Sequence, residues 1–333
     1  MVDYVNFAQA GVSLLLTMII GYVTCKAKLL KTKAINPINL FLLKCCYFPM
    51  IMRNIAVRDL RNLSIMPFVI GVLTNLTIYI LSTVIFLFPL RDKFYMYLST
   101  VFSSVYVNYL ILGFPIFNAI WDEKENVMVS IIALSNDIIN IPIFLTLANI
   151  YTIRKENEEH LVSDDGEKAK FSFKIFVEIA KRVITNTLIL GIIVGFIWAA
   201  TGFKLCNYVD SLTKTLGGSV LALCLFTVGG FLSQHSLIAC GYIQFGVCIA
   251  IRHFLMPLIV SLYSTAFKLQ PRLARQCVIM SCLPTATAAY PVSASAGIGS
   301  EVASTMIFWT SILGVPFQLL WLYVFDKLGI FVE

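Results

Sequence analysis

The stretch CLPTATAAYPVSASAGIGS, residues 282–300, decides the fold. Neighbouring apolar segments are rich in Leu, Ile, Val and Phe, whereas this one places Pro284 and Pro291 seven residues apart among Ala, Ser, Thr and Gly. Proline disrupts a helix interior because it removes a backbone donor. A broken helix survives in a membrane only where its freed backbone groups face protein or a water-filled cavity. The stretch therefore predicts an unwound crossing, and close packing of small residues is the alternative interpretation.

A second stretch, NYLILGFPI at residues 108–116, predicts a second interruption. Gly113 and Pro115 stand two residues apart in an apolar segment, which indicates a broken helix or, alternatively, a kink in a packed one. Asn108 supplies an amide that could hydrogen-bond a solute or cap the unwound chain. Half-helices beginning after Pro115 and Pro291 would aim unpaired N–H groups at the midplane, and such ends favour an anion.

The composition of the whole chain is that of a membrane protein. Of its 333 residues, 59% are hydrophobic and 13% charged, and the mean hydropathy is +0.85. A membrane-spanning helix needs about 20 apolar residues, and ten stretches of the sequence qualify. They lie near residues 5–23, 35–56, 65–88, 94–121, 127–151, 175–200, 206–232, 236–266, 273–297 and 301–325.

The polar stretch Arg154–Lys170 divides these ten stretches into five and five. Pro115 and Pro142 lie in the fourth and fifth stretches, and Pro291 and Pro316 lie at a similar spacing in the ninth and tenth. An odd number of spans in each half turns the second copy upside down, as in many secondary transporters. The predicted units are two inverted five-helix repeats, residues 1–151 and 173–333, and a cytosolic loop, residues 152–172.

Charge and cysteine patterns exclude several functional classes. The net charge is +7, but Lys and Arg are spread over many short loops, so nucleic-acid binding is not expected. A modest excess of Lys and Arg in alternate loops predicts that both termini are non-cytosolic, in the plasma membrane or an endomembrane. The nine cysteines show no CxxC spacing, and no catalytic constellation is present, so we expect no metal, no cofactor and no enzyme activity.

Four ionisable residues inside or beside the predicted spans are candidates for solute charge balance or proton coupling, because such residues are costly in a bilayer. They are Lys44, Asp137, Arg252 and Glu301. The alternative interpretations are that Lys44 and Asp137 pair with each other or with the backbone, that Arg252 is structural and that Glu301 is a solvated helix start. His253 is interpreted as a packing residue with satisfied hydrogen bonds.

Four pieces of the chain carry a resemblance to a known family. They are NYLILGFPI at 108–116, AIRHFLMPLIV at 250–260, CLPTATAAYP at 282–291 and ILGVPFQLLWLYVF at 312–325. In these pieces and in its ten hydrophobic stretches the chain resembles the auxin efflux carrier family, which includes plant PIN carriers and bacterial permeases for malate or malonate.

The resemblance implies an all-α membrane fold of ten transmembrane helices in two inverted five-helix repeats, similar to the plan of NhaA and the bile-acid symporters. It implies that helices 4 and 9 are broken and cross beside the solute site. The residues that match these crossovers are Asn108, Gly113 and Pro115 in the first, and Pro291, with Pro284 as the alternative, in the second. Bacterial members often carry Asn where this chain has Ala288, so one solute-facing amide is missing here. Family members often form homodimers.

The leading hypothesis is a secondary transporter that moves a small organic anion, an auxin-like carboxylate or a dicarboxylate, by an elevator-type alternating-access mechanism. A receptor or sensor that keeps the fold without transporting is one alternative. A bile-acid-type sodium symporter is another, and it predicts sodium dependence together with a cluster of acidic and polar ligands. The expected partners are the anion, the lipid bilayer and a second copy of the chain.

Overall fold

A computed structural model describes residues 4–57, 64–163, 187–234 and 237–331, together with positions 177, 181 and 185. These residues form an all-helical structure, as the sequence predicts. The one extended pairing among them is an isolated antiparallel bridge between Val107 and Thr285. The helices carry an apolar exterior, because many of the exposed side chains are Leu, Ile, Val and Phe.

The α-helices of the described residues are numbered here in chain order. They are α1 Tyr4–Lys26, α2 Ile35–Phe41, α3 Tyr47–Ala56, α4 Met66–Leu81, α5 Lys93–Val105, α6 Phe114–Ile120, α7 Val127–Leu134, α8 Ile141–Ser163, α9 Thr187–Thr201, α10 Asn207–Leu232, α11 Tyr242–Ala250, α12 Met256–Ala266, α13 Pro271–Ser281, α14 Ala289–Ala296 and α15 Ser300–Leu328. Short 3₁₀ turns occupy Thr32–Ala34, Ser82–Leu87 and Glu123–Glu125.

Four π-helical turns extend or join these helices. They are Leu42–Cys46 between α2 and α3, Tyr109–Gly113 before α6, Ser135–Asn140 between α7 and α8, and Ile251–Leu255 between α11 and α12. A π turn widens the helix locally and is frequently found at functional sites. Three of the four belong to segments that meet at the centre of the molecule.

Five helical segments of the described residues are long and apolar enough to cross a membrane. They are Met66–Leu87, Glu123–Lys155, Asn207–Leu232, Tyr242–Ala266 and Ser300–Leu328. Val12–Lys26, Tyr109–Ile120 and Ile189–Thr201 are shorter apolar helices. The chain is therefore an integral protein with several membrane-spanning helices.

The helices α1, α2, α3, α9 and α10 form one bundle, called the first bundle below. In it α1 packs along α10 and α9 packs along α3. Both contacts depend on glycine, since a Cβ atom added at Gly229 would lie 1.9 Å from the Met18 carbonyl oxygen. A Cβ added at Gly195 would lie 2.9 Å from the Met52 carbonyl oxygen. Small residues allow this close backbone approach within a membrane, where helices associate through packing rather than hydrophobic burial.

The remaining helices form the second bundle, α4 to α8 and α11 to α15. The helix α4 packs against both α7 and α12, α15 packs against α5 and α14, and α12 packs against α13. Contact between the two bundles runs mainly through α1 and α10, which meet α6, α15 and the π turn Tyr109–Gly113, and α3 also contacts α7. The two interrupted helical paths thus lie in the second bundle, and the first of them meets the first bundle.

The half-helices begin before Pro115 and Pro291, which corrects our expectation that they start after these prolines. The first path stops at Val105 and resumes at Tyr109, so Pro115 is already inside the second half. The second stops at Ser281 and resumes with α14, so the alternative proline, Pro284, lies inside this interruption. Pro291 is in the first turn of α14, where a proline loses no intrahelical hydrogen bond.

Part of the predicted central loop is helical. The helix α8 continues to Ser163, through the first twelve residues of the stretch 152–172. This part of the sequence includes RKENEEHLVS, rich in Glu, Lys and Arg, which are good helix formers, so a helix can continue after it leaves the apolar segment. Residues 164–172 of the predicted loop lie outside the described residues.

Candidate functional site

The two extended segments, around Val107 and Thr285, cross each other at the centre of the second bundle. This place is called the crossover below. The Asn108 N–H donates to the Pro284 carbonyl at 2.9 Å, and the Ala286 N–H donates to the Tyr106 carbonyl at 2.8 Å. These bonds flank Val107 and Thr285, which makes them a non-hydrogen-bonded antiparallel pair. The backbone polar groups of this pair point away from the partner strand, so they need other hydrogen-bond partners.

Two side chains from neighbouring helices supply those partners. The amide of Asn136 donates from Nδ2 to the Val107 carbonyl at 2.6 Å, and its Oδ1 accepts from the Val107 N–H at 3.4 Å. On the other strand the Thr310 hydroxyl accepts from the Thr285 N–H at 2.9 Å. The Thr285 hydroxyl in turn donates to the Ser103 carbonyl at 2.9 Å. The crossover is therefore held by three side chains, those of Asn136, Thr310 and Thr285, and all of these residues are buried.

Asn108, the amide predicted to face the solute, is 3% exposed. Its Nδ2 is buried and has no hydrogen-bond partner among the described residues. Its backbone carbonyl accepts from the N–H groups of Leu112 and Gly113, at 3.3 and 3.2 Å. A buried amide donor without a partner costs free energy, so this donor is suited to a ligand that supplies an acceptor such as a carboxylate.

The other predicted crossover residues lie on the same two paths. Gly113 ends the π turn Tyr109–Gly113, and a Cβ there would lie 2.9 Å from Val129 Cγ1 and 3.2 Å from Leu283 Cδ1. Pro284 is in the second extended segment, and its carbonyl forms one of the bridging bonds. Ala288 is the residue directly before α14. Hydrogen bonds bring together Asn108, Gly113 and Pro284, while Ala288, Pro115 and Pro291 lie further along the two paths.

Asp137 lies beside the crossover and is 3% exposed. Its carboxylate accepts a hydrogen bond of 3.1 Å from the Tyr106 hydroxyl. Lys44 is exposed, and within the described part of the chain no ion pair joins it to Asp137. The alternative that these two residues neutralise each other is therefore wrong. Asp137 contacts one of the extended segments through Tyr106, whereas Lys44 forms no part of this hydrogen-bonded group.

Arg252 is completely buried in the π turn Ile251–Leu255. Its guanidinium donates to the Leu283 carbonyl and to the Ser104 carbonyl, which belong to the two interrupted paths. His253 is also buried, with its ring stacked on Phe317 at a centroid distance of 4.5 Å. Neither ring nitrogen of His253 has a hydrogen-bond partner among the described residues, so the expected satisfied packing residue is packed but not satisfied.

Glu301 lies in the first turn of α15, away from the bridge. It accepts a short hydrogen bond from the Tyr95 hydroxyl near the start of α5, and that hydroxyl accepts from the Gly299 N–H at 3.2 Å. Glu301 is only partly exposed, so its carboxylate ties α5 to α15 rather than simply facing water. Glu301 is therefore at a helix start, as interpreted, but its side chain is hydrogen-bonded to Tyr95 rather than simply solvated.

A small cavity of about 10 Å³ lies between the two bundles, beside the crossover. Its first-bundle wall includes Leu14, Leu15 and Met18 of α1 and Leu225 of α10, and its second-bundle wall includes Leu112, Pro284 and Ser311. Leu112 and Pro284 are two of the three residues that hydrogen-bond the Asn108 backbone, and Gly113 is the third. The cavity has room for about one water molecule, far less than the roughly 300 Å³ at which ligand pockets begin. A solute can therefore enter only if the two bundles separate here, and the walls that it would meet are mostly apolar.

Sequence reasoning missed Asn136, Thr310 and Thr285. Asn136 belongs to SNDIIN at 135–140, a polar group in an otherwise apolar span, and this signal was available. Thr310 gives no such signal, because a threonine in an apolar helix commonly bonds its own backbone, as its hydroxyl also does here with Met306. No group of His, Cys, Asp and Glu side chains that could hold a metal ion occurs among the described residues.

An all-helical chain with several membrane spans, two interrupted helices and a buried polar site at their crossing belongs to the class of multi-pass membrane transporters. Residues 7–322 match the model of the membrane transport protein family, the family of the auxin efflux carriers, and the chain belongs to it. This family consists of transporters rather than enzymes. The resemblance drawn from the four sequence pieces is confirmed.

Named relatives agree with this assignment at low identity. Auxin efflux carrier component 8 of Arabidopsis thaliana is 23% identical over 255 residues, which are 67% of this chain and 69% of that protein. Probable auxin efflux carrier component 3b of Oryza sativa subsp. japonica is 21% identical over 159 residues, 46% of this chain and 27% of that protein. Auxin efflux carrier component 3a of the same rice is 22% identical over 152 residues. The match spans about a quarter of each rice protein.

Proposed function

We propose that this protein is a secondary transporter that carries a small organic anion across the membrane, with the crossover as its solute site. The observation that carries the proposal is the unpartnered Asn108 amide, whose backbone is bonded to two residues of the cavity wall. Helical segments resume on both sides of the crossover, at Tyr109 and Ala289, and helix N-termini favour an anion. Membership of a transporter family supports the same function.

The proposed architecture is ten transmembrane helices in two inverted five-helix repeats. Reciprocal packing supports it, because α1 of the first repeat packs on α10 of the second, while α9 of the second packs on α3 of the first. The crossover supports it as well. Asn136 and Thr310 hold the backbones of Val107 and Thr285 from the segment that follows each interruption. A two-fold relation between the repeats generates such matched pairs.

The apolar cavity favours a monocarboxylate with an apolar body over a dicarboxylate. The wall residues are aliphatic side chains, Met18 and Pro284, with Ser311 as the polar exception. Burying a second carboxylate against this wall without a hydrogen-bonding partner would cost several kcal/mol. A single carboxylate can instead accept from the Asn108 amide while the apolar part of the solute contacts the aliphatic walls, once the bundles have separated.

An elevator-type movement is the proposed mechanism. The second bundle holds the crossover, and the cavity lies where this bundle meets α1 and α10 of the first. Movement of the second bundle against the first would carry the site from one membrane face to the other. The proposed setting is the plasma membrane or an endomembrane, with both termini non-cytosolic, residues 152–172 as a cytosolic connector, and a homodimer formed through the first bundle.

The experiment is charge movement in proteoliposomes on a solid-supported membrane. The purified protein is challenged with indole-3-acetate, malate, malonate and a bile acid, each with and without sodium and a pH gradient. We expect currents with indole-3-acetate that exceed those with malate or malonate. Asn108→Ala should abolish them while leaving the amount of folded protein unchanged.

Asn149→Ala is the matched control. Asn149 donates its amide to the Leu145 carbonyl within α8, away from the crossover, so currents should persist in this variant. Unchanged currents in Asn108→Ala would contradict the crossover assignment. Sodium-dependent bile-acid currents would favour a bile-acid-type symporter. Silence with every anion, from protein that binds one of them, would favour a receptor.

A further inference from the structure

Arg252 is a buried cation without a carboxylate partner in the described residues. Its side chain is 0% exposed, and it forms no ion pair with Asp or Glu in that part of the chain. Titratable groups close enough to interact with it are Tyr109, Cys282 and His253, and none of them is a carboxylate. Removing an arginine from water costs several kcal/mol unless other groups compensate the charge. The compensation must therefore come from the backbone around it.

The backbone groups concerned belong to both interrupted helices. Nε of Arg252 donates to the Leu283 carbonyl at 2.8 Å, and Nη2 forms a second, shorter bond to the same oxygen. Nη1 donates to the Ser104 carbonyl at 3.2 Å and contacts Met256 Sδ at 2.8 Å. Ser104 is in the last turn of α5, and Leu283 lies two residues after the end of α13. One guanidinium thus joins the C-terminal ends of the two helices.

The charges at these ends balance. The last carbonyls of a helix have no intrahelical donor, and they give its C-terminus a partial charge of about −0.5. Two such ends therefore amount to about −1 and offset the single positive charge of the guanidinium. The helical segments that resume after the crossover keep their positive N-terminal ends, and these remain available to an anion.

We infer that Arg252 is a positioning residue that fastens the C-terminal ends of α5 and α13 together and so fixes the register of the crossover. Its charge also prevents these two negative ends from repelling an anionic solute, a second role that rests on the proposed transport function. A lysine cannot reproduce the first role fully, because an ammonium is a single point donor whereas the guanidinium fork reaches two separate carbonyls.

The register can be measured without a substrate. Val107 and Thr285 form a non-hydrogen-bonded pair, whose Cα atoms are about 4.5 Å apart. This separation is within the range that a disulfide can bridge. We would combine Val107→Cys with Thr285→Cys, oxidise the detergent-purified protein, and quantify the linked peptide by mass spectrometry, so that the native cysteines stay in place. The rate of linking reports how firmly the two segments are held.

We expect Arg252→Met to lower the linking rate about tenfold, which is the effect of losing a single hydrogen bond to a charged group. The linking rate of Arg252→Lys should fall between those of Arg252→Met and the parent protein. Met256→Leu is the matched control, since it removes the sulfur contact and leaves the carbonyl contacts of Arg252 in place. If Arg252→Met does not accumulate as folded protein, Arg252→Gln takes its place with the same expectation. Linking at the parent rate in the variant that folds would overturn the inference.

Transport measurements distinguish a positioning role of Arg252 from a role in packing alone. We expect Arg252→Met to raise the KM for the anion about tenfold, and Arg252→Lys to restore KM more than the turnover rate, because lysine keeps the charge but not the fork. An unchanged KM in Arg252→Met would overturn the electrostatic role. Absence of transport in the unsubstituted protein would contradict the proposed function and would leave the linking result as the measure of Arg252.

Discussion

The side-chain amide of Asn136 forms hydrogen bonds with both the carbonyl and the N–H of Val107, and in this way it replaces a neighbouring strand. Val107 needs such a partner because its own backbone groups point away from Thr285 across the bridge. Lipid offers an unwound segment no hydrogen-bond partner, so these two bonds from the protein allow the chain to be extended at this position.

Asn136→Ala should therefore destabilise the crossover. Two buried backbone groups lose their partner, at a cost of about 1–3 kcal/mol each. We expect a lower melting temperature of the purified protein and loss of transport. Asn136→Asp should also fail, because an ionised carboxylate cannot donate to the Val107 carbonyl. Full transport in either variant would show that the amide is dispensable.

Thr310 provides a matched pair of substitutions. Its hydroxyl accepts from the Thr285 N–H, so Thr310→Val leaves that buried donor unsatisfied, and Thr310→Ser keeps the acceptor. Thr310→Val should lower the free energy of unfolding by about 1–3 kcal/mol, whereas Thr310→Ser should stay close to the parent. The check is thermal unfolding followed by size-exclusion chromatography. Equal stability of the two variants would contradict the role of the hydroxyl.

Two glycines of α10 should respond in opposite ways to alanine. The methyl group of Gly229→Ala would overlap the Met18 carbonyl, so α1 and α10 must separate, and we expect a loss of about 1–3 kcal/mol or more. Gly218 has no atom within 4 Å of the position of an added Cβ, and Gly218→Ala should stabilise the helix by about 0.5–1 kcal/mol. Thermal stability of the two variants measures the difference. A tolerated Gly229→Ala would contradict the close packing of the first bundle.

Asp137 is the residue we expect to carry proton coupling, because it is buried beside the crossover and bonded to Tyr106. Asp137→Asn cannot exchange a proton, so its transport should no longer respond to a pH gradient. Tyr106→Phe removes only the hydrogen bond and should retain a response. Asp210→Asn is the control, since Asp210 pairs with Arg53 in the first bundle. A gradient response that persists in Asp137→Asn would exclude this carboxylate as the coupling group.

The proposed movement of the second bundle can be trapped at Cys224. Its thiol in α10 is approached by the side chain of Thr287 in the crossover. In the Thr287→Cys variant we expect mercuric ion to bridge the two thiols and stop transport, with recovery after dithiothreitol. The variant that combines Thr287→Cys with Cys224→Ser cannot form this bridge, so mercuric ion should not stop its transport in this way. Unimpaired transport in the bridged protein would contradict a sliding contact between the bundles.

The interrupted helices illustrate what could be predicted from the sequence. Prolines and small residues at 108–116 and 282–291 correctly indicated two unusual segments, because their local effect on a helix is strong. The first break lies several residues before Pro115, and the second contains Pro284, the alternative match, rather than Pro291. Tyr106 and Val107 carry no local signal for extension, and they are extended because Pro284 and Ala286, far away in the chain, pair with their neighbourhood.

The ionisable residues show the same division. Their rarity in apolar segments identified Asp137 and Arg252 as unusual, since burial of a charge is costly whatever the fold. Their partners could not be predicted. Arg252 binds two carbonyls, and every residue has a carbonyl, so the sequence holds no mark of which ones become free at a helix end. Lys44 was grouped with Asp137 although it is exposed.

The sequence by itself determined that this protein is an all-helical membrane protein of the auxin efflux carrier family, because long apolar stretches and local helix breakers act over a few residues and leave a direct mark. Only the tertiary structure decided where the two helices unwind and which side chains hold them. It also decided that the cavity lies between α1, α10 and the crossover. These features depend on hydrogen bonds and contacts between residues more than a hundred positions apart, such as Val107 and Thr285, which no local pattern specifies.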